Sequence, residues 1–122
     1  MNAWIATAWV SLGLIHVLPA AVVVRPGLTQ RLYGVPADGE VGVLLVHRGV
    51  LFLAIVAVTA LATLDPTARR AASLVVAISV VGFLVAYTSA GSPQGALRTI
   101  AIVDAIALLP LGLVLFDAWR PA

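Results

Sequence analysis

Residues Val41 to Thr63 read VGVLLVHRGVLFLAIVAVTALAT, an apolar run that carries His47 and Arg48 side by side in its interior. About 20 apolar residues cross the hydrocarbon core of a bilayer as a helix. A charged side chain placed inside such a span costs roughly 2.5–3.5 kcal/mol on insertion scales, so it faces a partner or a cavity and marks a functional position by default. The remaining chain must therefore cover the rest of the apolar surface and house Arg48.

Composition sets the solvent. Of the 122 residues 62% are hydrophobic and 10% are charged, against about 25% charged in an average soluble domain. With a mean hydropathy of +1.13, lipid must solvate the outer face, and only helices or closed barrels satisfy their backbone there. The net charge of +2 comes from Arg alone, since the chain has no Lys and no basic run of the kind that binds nucleic acid. The absence of Cys excludes disulfides, thiolate-held iron–sulfur clusters and a thiol nucleophile. The two His residues form no metal-ligand motif, so neither a metal nor another cofactor is expected. The Ala, Val, Leu, Gly and Arg bias resembles that of a high-GC bacterial genome.

Four apolar runs account for nearly the whole chain, at 4–24, 41–63, 71–90 and 97–116. The expected fold is all-α, an integral membrane four-helix bundle forming a single transmembrane domain over 1–122. Short links make the second, third and fourth helices antiparallel neighbours. The first run lacks a basic leader and a clean cleavage site, and reads as a retained span. Trp4 and Trp9 suit an interfacial belt. The first loop, RPGLTQRLYGVPADGE, is rich in Pro, Gly and charge; its RLYGVP segment suits the interface, with Tyr33 at headgroup level. Asp65 and Pro66 have the chemistry of a helix N-cap and first helical residue. Arg69, Arg70 and Arg120 lie on one side and Arg25, Arg31 and Arg98 on the other, which leaves the positive-inside rule balanced. The short Arg69-Arg70 loop tips the expectation towards cytoplasmic termini, in a bacterial inner membrane.

Depth brings the polar residues together. At 1.5 Å of rise per residue, His16 lies roughly 12 Å below the face that carries the first loop. His47 and Arg48 lie roughly 10–12 Å below it, and Asp104 at a similar depth. Tyr87 falls near the same end of the third span, and Gln94 and Arg98 sit above in the last loop. The other leaflet holds almost no ionisable side chain within its spans. This pattern predicts a polar cavity in one leaflet, closed below by Val, Leu and Ala. Pro19 and Pro110 each free a backbone carbonyl one turn earlier, which membranes tolerate where it lines a cavity or is buried in protein.

Within that cavity His16, His47 and Asp104 are the candidate acid–base residues. Arg48, Tyr87, Gln94 and Arg98 are the candidate ligand-binding residues. Arg48 and Asp104 are expected to pair, either as a clamp between two spans or as an anchor in which the planar guanidinium holds a ligand oxygen. His47 and His16 can equally be hydrogen-bonded interhelical residues, and Tyr87 an interfacial anchor. The small residues Gly42, Gly49, Ala54, Ala57, Gly82, Ala86 and Gly112 suit close helix packing.

The run LLVHRGVLFL, followed by Pro66 and Arg69 in the second loop and Asp104 in the fourth span, resembles a group of small bacterial four-span membrane proteins. Some members of that group carry the label phosphopantetheine adenylyltransferase. That enzyme is a soluble α/β nucleotide binder, and this chain has neither its phosphate motif nor a Lys. A more distant similarity, to DoxX-like four-span proteins, is one of architecture.

Three functional expectations follow. The cavity binds an amphiphilic small molecule such as a lipid, isoprenoid or quinone, with acid–base chemistry of the isomerase, cyclase or epoxide-opening type as an option. Alternatively the chain is an accessory subunit of a larger membrane complex. As a third reading it is a small homo-oligomeric transporter, against which the confinement of ionisable residues to one leaflet counts. The expected partners are thus the lipid bilayer, an amphiphilic ligand, and a second copy or a complex subunit.

Overall fold

The computed structural model describes residues 2–121 and is 83% helical, with no strand among them. Helix α1 spans Ala3–Ala20 and runs into a 3-10 turn at Ala21–Val23. A short helix α2 follows at Leu28–Tyr33, then the long α3 at Gly39–Leu64. A 3-10 turn at Pro66–Ala68 leads into α4, Arg69–Ser89, and a tight link into α5, Leu97–Trp119. Four of these helices are long and apolar enough to cross a membrane. The chain is thus an all-α four-helix bundle of the multi-pass membrane type.

Local chemistry sets the helix ends. Asn2 caps α1 by accepting a hydrogen bond from the Trp4 N–H at 2.9 Å. Asp65 accepts from the Thr67 N–H at 2.9 Å and from its hydroxyl at 2.7 Å, and Pro66 opens the turn that follows. These contacts hold the Asp65 carboxyl below its ordinary range, because hydrogen bonds to the ionised form favour it. Gly34 closes α2 at φ +71°, a left-handed cap that glycine adopts without a Cβ penalty.

Helix α1 is the centre of the bundle. Its span is 39% buried, against 17% to 22% for the other three. It packs most extensively on α3 and also on α5, while α4 packs chiefly on α5. Ile5, Trp9, Leu12, His16 and Ala20 form its inward stripe. Trp9 is fully enclosed in the core, not at the interface, and its indole N–H finds no acceptor among the described residues. Trp4, 75% exposed, is free to occupy the belt.

Glycine lets α1 and its neighbours come close. A Cβ on Gly49 would lie 3.2 Å from Val22, while one on Gly42 would lie 2.5 Å from the backbone of Ala37, in the loop that folds back on the start of α3. Gly13 faces Thr59 in the same way. Gly82 and Gly112, by contrast, have nothing within 4 Å of that position, so they pack against no neighbouring helix.

The bundle has two unlike halves. Apolar core residues come from α3 at Ile55 and Ala62, from α4 at Ala72 to Val80, and from α5 at Ala107 to Val114. Arg48, Phe83 and Asp104 all lie beyond these, towards the end that carries α2 and the α4–α5 link. One half is mainly apolar, with Thr59 and Ser73 as buried polar side chains, and the other holds His16, Arg48 and Asp104.

Candidate functional site

The site starts from helix geometry. Successive residues turn by 100° around an α-helix, so three in a row face three directions. His47 is exposed on the outer face of α3 beside Pro26 and Val46. Arg48 turns inward, and Gly49 meets Pro19 and Val22 of the α1 end. The three consecutive residues thus serve the outer surface, the cavity and the helix contact in turn.

Arg48 is held by aromatic rings. Its guanidinium carbon lies 4.7 Å from the centroid of Phe52, 5.4 Å from Phe83 and 5.5 Å from Tyr33. Its Nε donates to the Tyr33 hydroxyl at 3.3 Å. Each desolvated cation–π contact contributes about 0.5–2 kcal/mol, which offsets part of the cost of the charge at this depth. Phe52 is one turn along α3 from Arg48, so the two share a face. Tyr33 arrives from α2, which packs on α5 and on the 3-10 turn after α1. Tyr33 is therefore an inward partner of Arg48.

His16 is 2% exposed. Its Nδ1 donates to the Leu12 carbonyl at 2.7 Å. A carbonyl can only accept, so Nδ1 carries the hydrogen and Nε2 is the acceptor of the neutral ring. Nε2 has no hydrogen-bond partner among the described residues. The ring lies 5.5 Å from Phe52, tilted by 32°.

His16, Tyr33, Arg48, Phe52, Thr99 and Asp104 line one cavity of about 140 Å³, with Ile15, Leu32 and Val103 among its apolar walls. Arg48 and Asp104 do not form the ion pair that matched depth led us to expect. Among the described residues the ion pair that forms is Arg120 with Asp117, at 3.1 Å. The rings and Tyr33 already hold the guanidinium, so Asp104 faces it across the cavity without contact. The charge on Arg48 still acts on both Asp104 and His16.

The structure therefore brings His16, Arg48 and Asp104 together and leaves the other candidates outside. His47 faces away, for the rotational reason given above. The Tyr87 hydroxyl donates to the Pro93 carbonyl at 2.6 Å, and its ring stacks on Phe83, so it braces the α4–α5 link. Gln94 donates to the Ser92 carbonyl within that link and is exposed. Arg98 is exposed at the start of α5 and lines neither cavity at Arg48. Sequence reasoning missed Tyr33, Phe52 and Phe83 as partners of Arg48. The one-turn spacing of Arg48 and Phe52 was a usable signal; nothing local pointed Phe83 or Tyr33 at the same charge.

No group of three or more potential metal ligands occurs among the described residues. Chemically, the site offers free guanidinium donors, a carboxyl group and one imidazole acceptor in otherwise apolar surroundings. Comparison with protein-family models, curated proteins and solved structures gives no match to this chain.

Proposed function

We propose that the cavity at His16, Arg48 and Asp104 binds an amphiphilic small molecule, such as a lipid, isoprenoid or quinone. Its polar group lies against Arg48 and its tail among apolar side chains. The observation that supports this reading is the union of a caged cation, a carboxyl group and an unpartnered imidazole nitrogen in one cavity. Membrane helices rarely carry such groups without a pathway, a ligand or a proton to serve. A structural clamp alone would pair Arg48 with Asp104, and the two stand apart.

Where the site also does chemistry, proton transfer suits it. Arg48 holds the ligand oxygen, His16 Nε2 takes or returns the proton, and Asp104 sets the charge opposite. Isomerisation and cyclisation can return the proton to the substrate itself, and epoxide opening needs in addition water or a substrate hydroxyl as nucleophile, whose proton His16 passes to the ring oxygen. The same reading sets the protein in a bacterial inner membrane with both termini cytoplasmic, on the side of Arg69 and Arg70. It also sets it beside the small four-span proteins that share the His-Arg-Gly run.

Native mass spectrometry from mild detergent tests the binding, with wild type beside Arg48→Ala and helical content checked by circular dichroism. A discrete bound mass in the wild type, lost in a folded variant, supports the ligand site and gives the ligand class. A folded wild type that carries no bound mass overturns it in favour of a subunit role.

A further inference from the structure

Arg48, Phe52 and Asp104 border a second space besides the cavity at His16. This one is about 320 Å³ and lies between α3, α4 and α5, with Ser79, Gly82 and Ala86 on its α4 side. Helices α3 and α4 pack on each other much less than α1 on α3 or α4 on α5. Gly82 is exposed and a Cβ there would touch nothing within 4 Å. Ile78, one turn away, is 73% exposed. Gly82 lies seven residues before Ser89, the end of α4, which places it roughly 10 Å inside that end of the helix. For α4 as a membrane span that is hydrocarbon depth, so a ligand reaching the second space from the side comes from among the acyl chains.

The groups beyond the opening restrict what can use it. Arg48 supplies donors, while Asp104 and His16 Nε2 face it as acceptors. A hydroxyl group, donor and acceptor together, can satisfy both kinds at once, whereas a carbonyl can only accept from Arg48. A phosphate would set its charge against the Asp104 carboxylate, and like charges brought together disfavour binding.

We propose that the gap between α3 and α4 is a lateral entrance. Through it a neutral, hydroxyl-headed amphiphile passes from the bilayer to Arg48, with Gly82 setting the width. This rests on the ligand-site reading above. An extended tail lies in the channel that Ser79, Gly82 and Ala86 leave open on α4, and the headgroup reaches the cavity behind Phe52.

The test uses geranylgeraniol and geranylgeranyl monophosphate as probes, with the protein in nanodiscs and binding read by native mass spectrometry. Gly82→Trp narrows the gap, Gly82→Leu does so more mildly, and Gly112→Trp adds the same bulk at an open position elsewhere. Wild type is expected to hold the alcohol about tenfold more tightly than the phosphate. Gly82→Trp should lose about tenfold in occupancy of the alcohol, Gly82→Leu less, and Gly112→Trp none. Unchanged binding in folded Gly82→Trp and Gly82→Leu overturns the entrance, while loss of the probe in Arg48→Ala would still uphold the site behind it. Tighter binding of the phosphate overturns the neutral headgroup. If wild type binds neither probe the proposal fails, and the mass found on protein as isolated decides the ligand site separately.

Discussion

Arg48 and Phe52 stand one turn apart on α3, with the guanidinium carbon 4.7 Å from the ring centroid. The opposite relation of Phe52, to the His16 ring at 5.5 Å, makes it the shared wall of the cation and the imidazole. Phe52→Leu keeps an apolar side chain and removes the π face. It should lower stability by about 0.5–2 kcal/mol, measured by denaturant titration in detergent, whereas Phe52→Tyr should stay near wild type. Equal stability of the Leu and wild-type proteins would show that the ring contributes bulk only.

The glycines should separate into two classes on substitution by Ala. Gly42→Ala puts a methyl group 2.5 Å from the Ala37 backbone, which cannot swing aside. Gly49→Ala presses on Val22 at 3.2 Å. Overpacking of this kind costs about 1–3 kcal/mol, with Gly42→Ala the worse of the two. Gly82→Ala and Gly112→Ala meet open space and gain about 0.5–1 kcal/mol from the better helix former. Thermal melts of the four variants should give this order.

The His16 tautomer can be read directly. Nitrogen NMR of the histidine rings should show His16 with its hydrogen on Nδ1, as its bond to Leu12 requires. A ring protonated on Nε2 instead would remove the acceptor on which the proposed proton transfer depends. His16→Phe should keep the packing on Phe52 while abolishing any such chemistry.

Acid should loosen the α3–α4 link. The Asp65 carboxyl is held below its ordinary value of 3.8, chiefly by the Thr67 hydroxyl and then by the Thr67 N–H. A group whose folded value is depressed stabilises the fold above its unfolded value, and the benefit is lost as pH falls through the folded one. The contribution is thus complete above about pH 4 and fades below it. Asp65→Ala should destabilise the protein at neutral pH and leave its melting temperature less sensitive to pH below about 4 than that of wild type. An unchanged acid profile in the variant would place the acid sensitivity elsewhere.

Much of the polar arrangement was legible from depth alone. His16, Arg48 and Asp104 lie on three different helices, and counting residues from the span ends put them at one level. That count works because helical rise is fixed. It carries no information about rotation, and rotation is where the expectations failed. His47 has the same depth as Arg48 and faces the outside. Tyr87 has nearly the right depth, but its hydroxyl finds the nearby Pro93 carbonyl first. Gln94 and Arg98 lie in or beside a link whose turn directs them away.

The sequence by itself determined the number of crossing helices, their approximate ends and the leaflet that holds the charge. These follow from hydropathy, capping chemistry and a constant rise per residue. Tertiary structure alone decided which face of α1 is buried, because its few polar residues are spread round the helix and mark no inward side. It also decided that three aromatic rings, two of them from other helices, cage Arg48 in place of a carboxylate. Contacts between helices depend on how α2 folds back and where glycine lets α1 approach α3, and neither is encoded in any local stretch of chain.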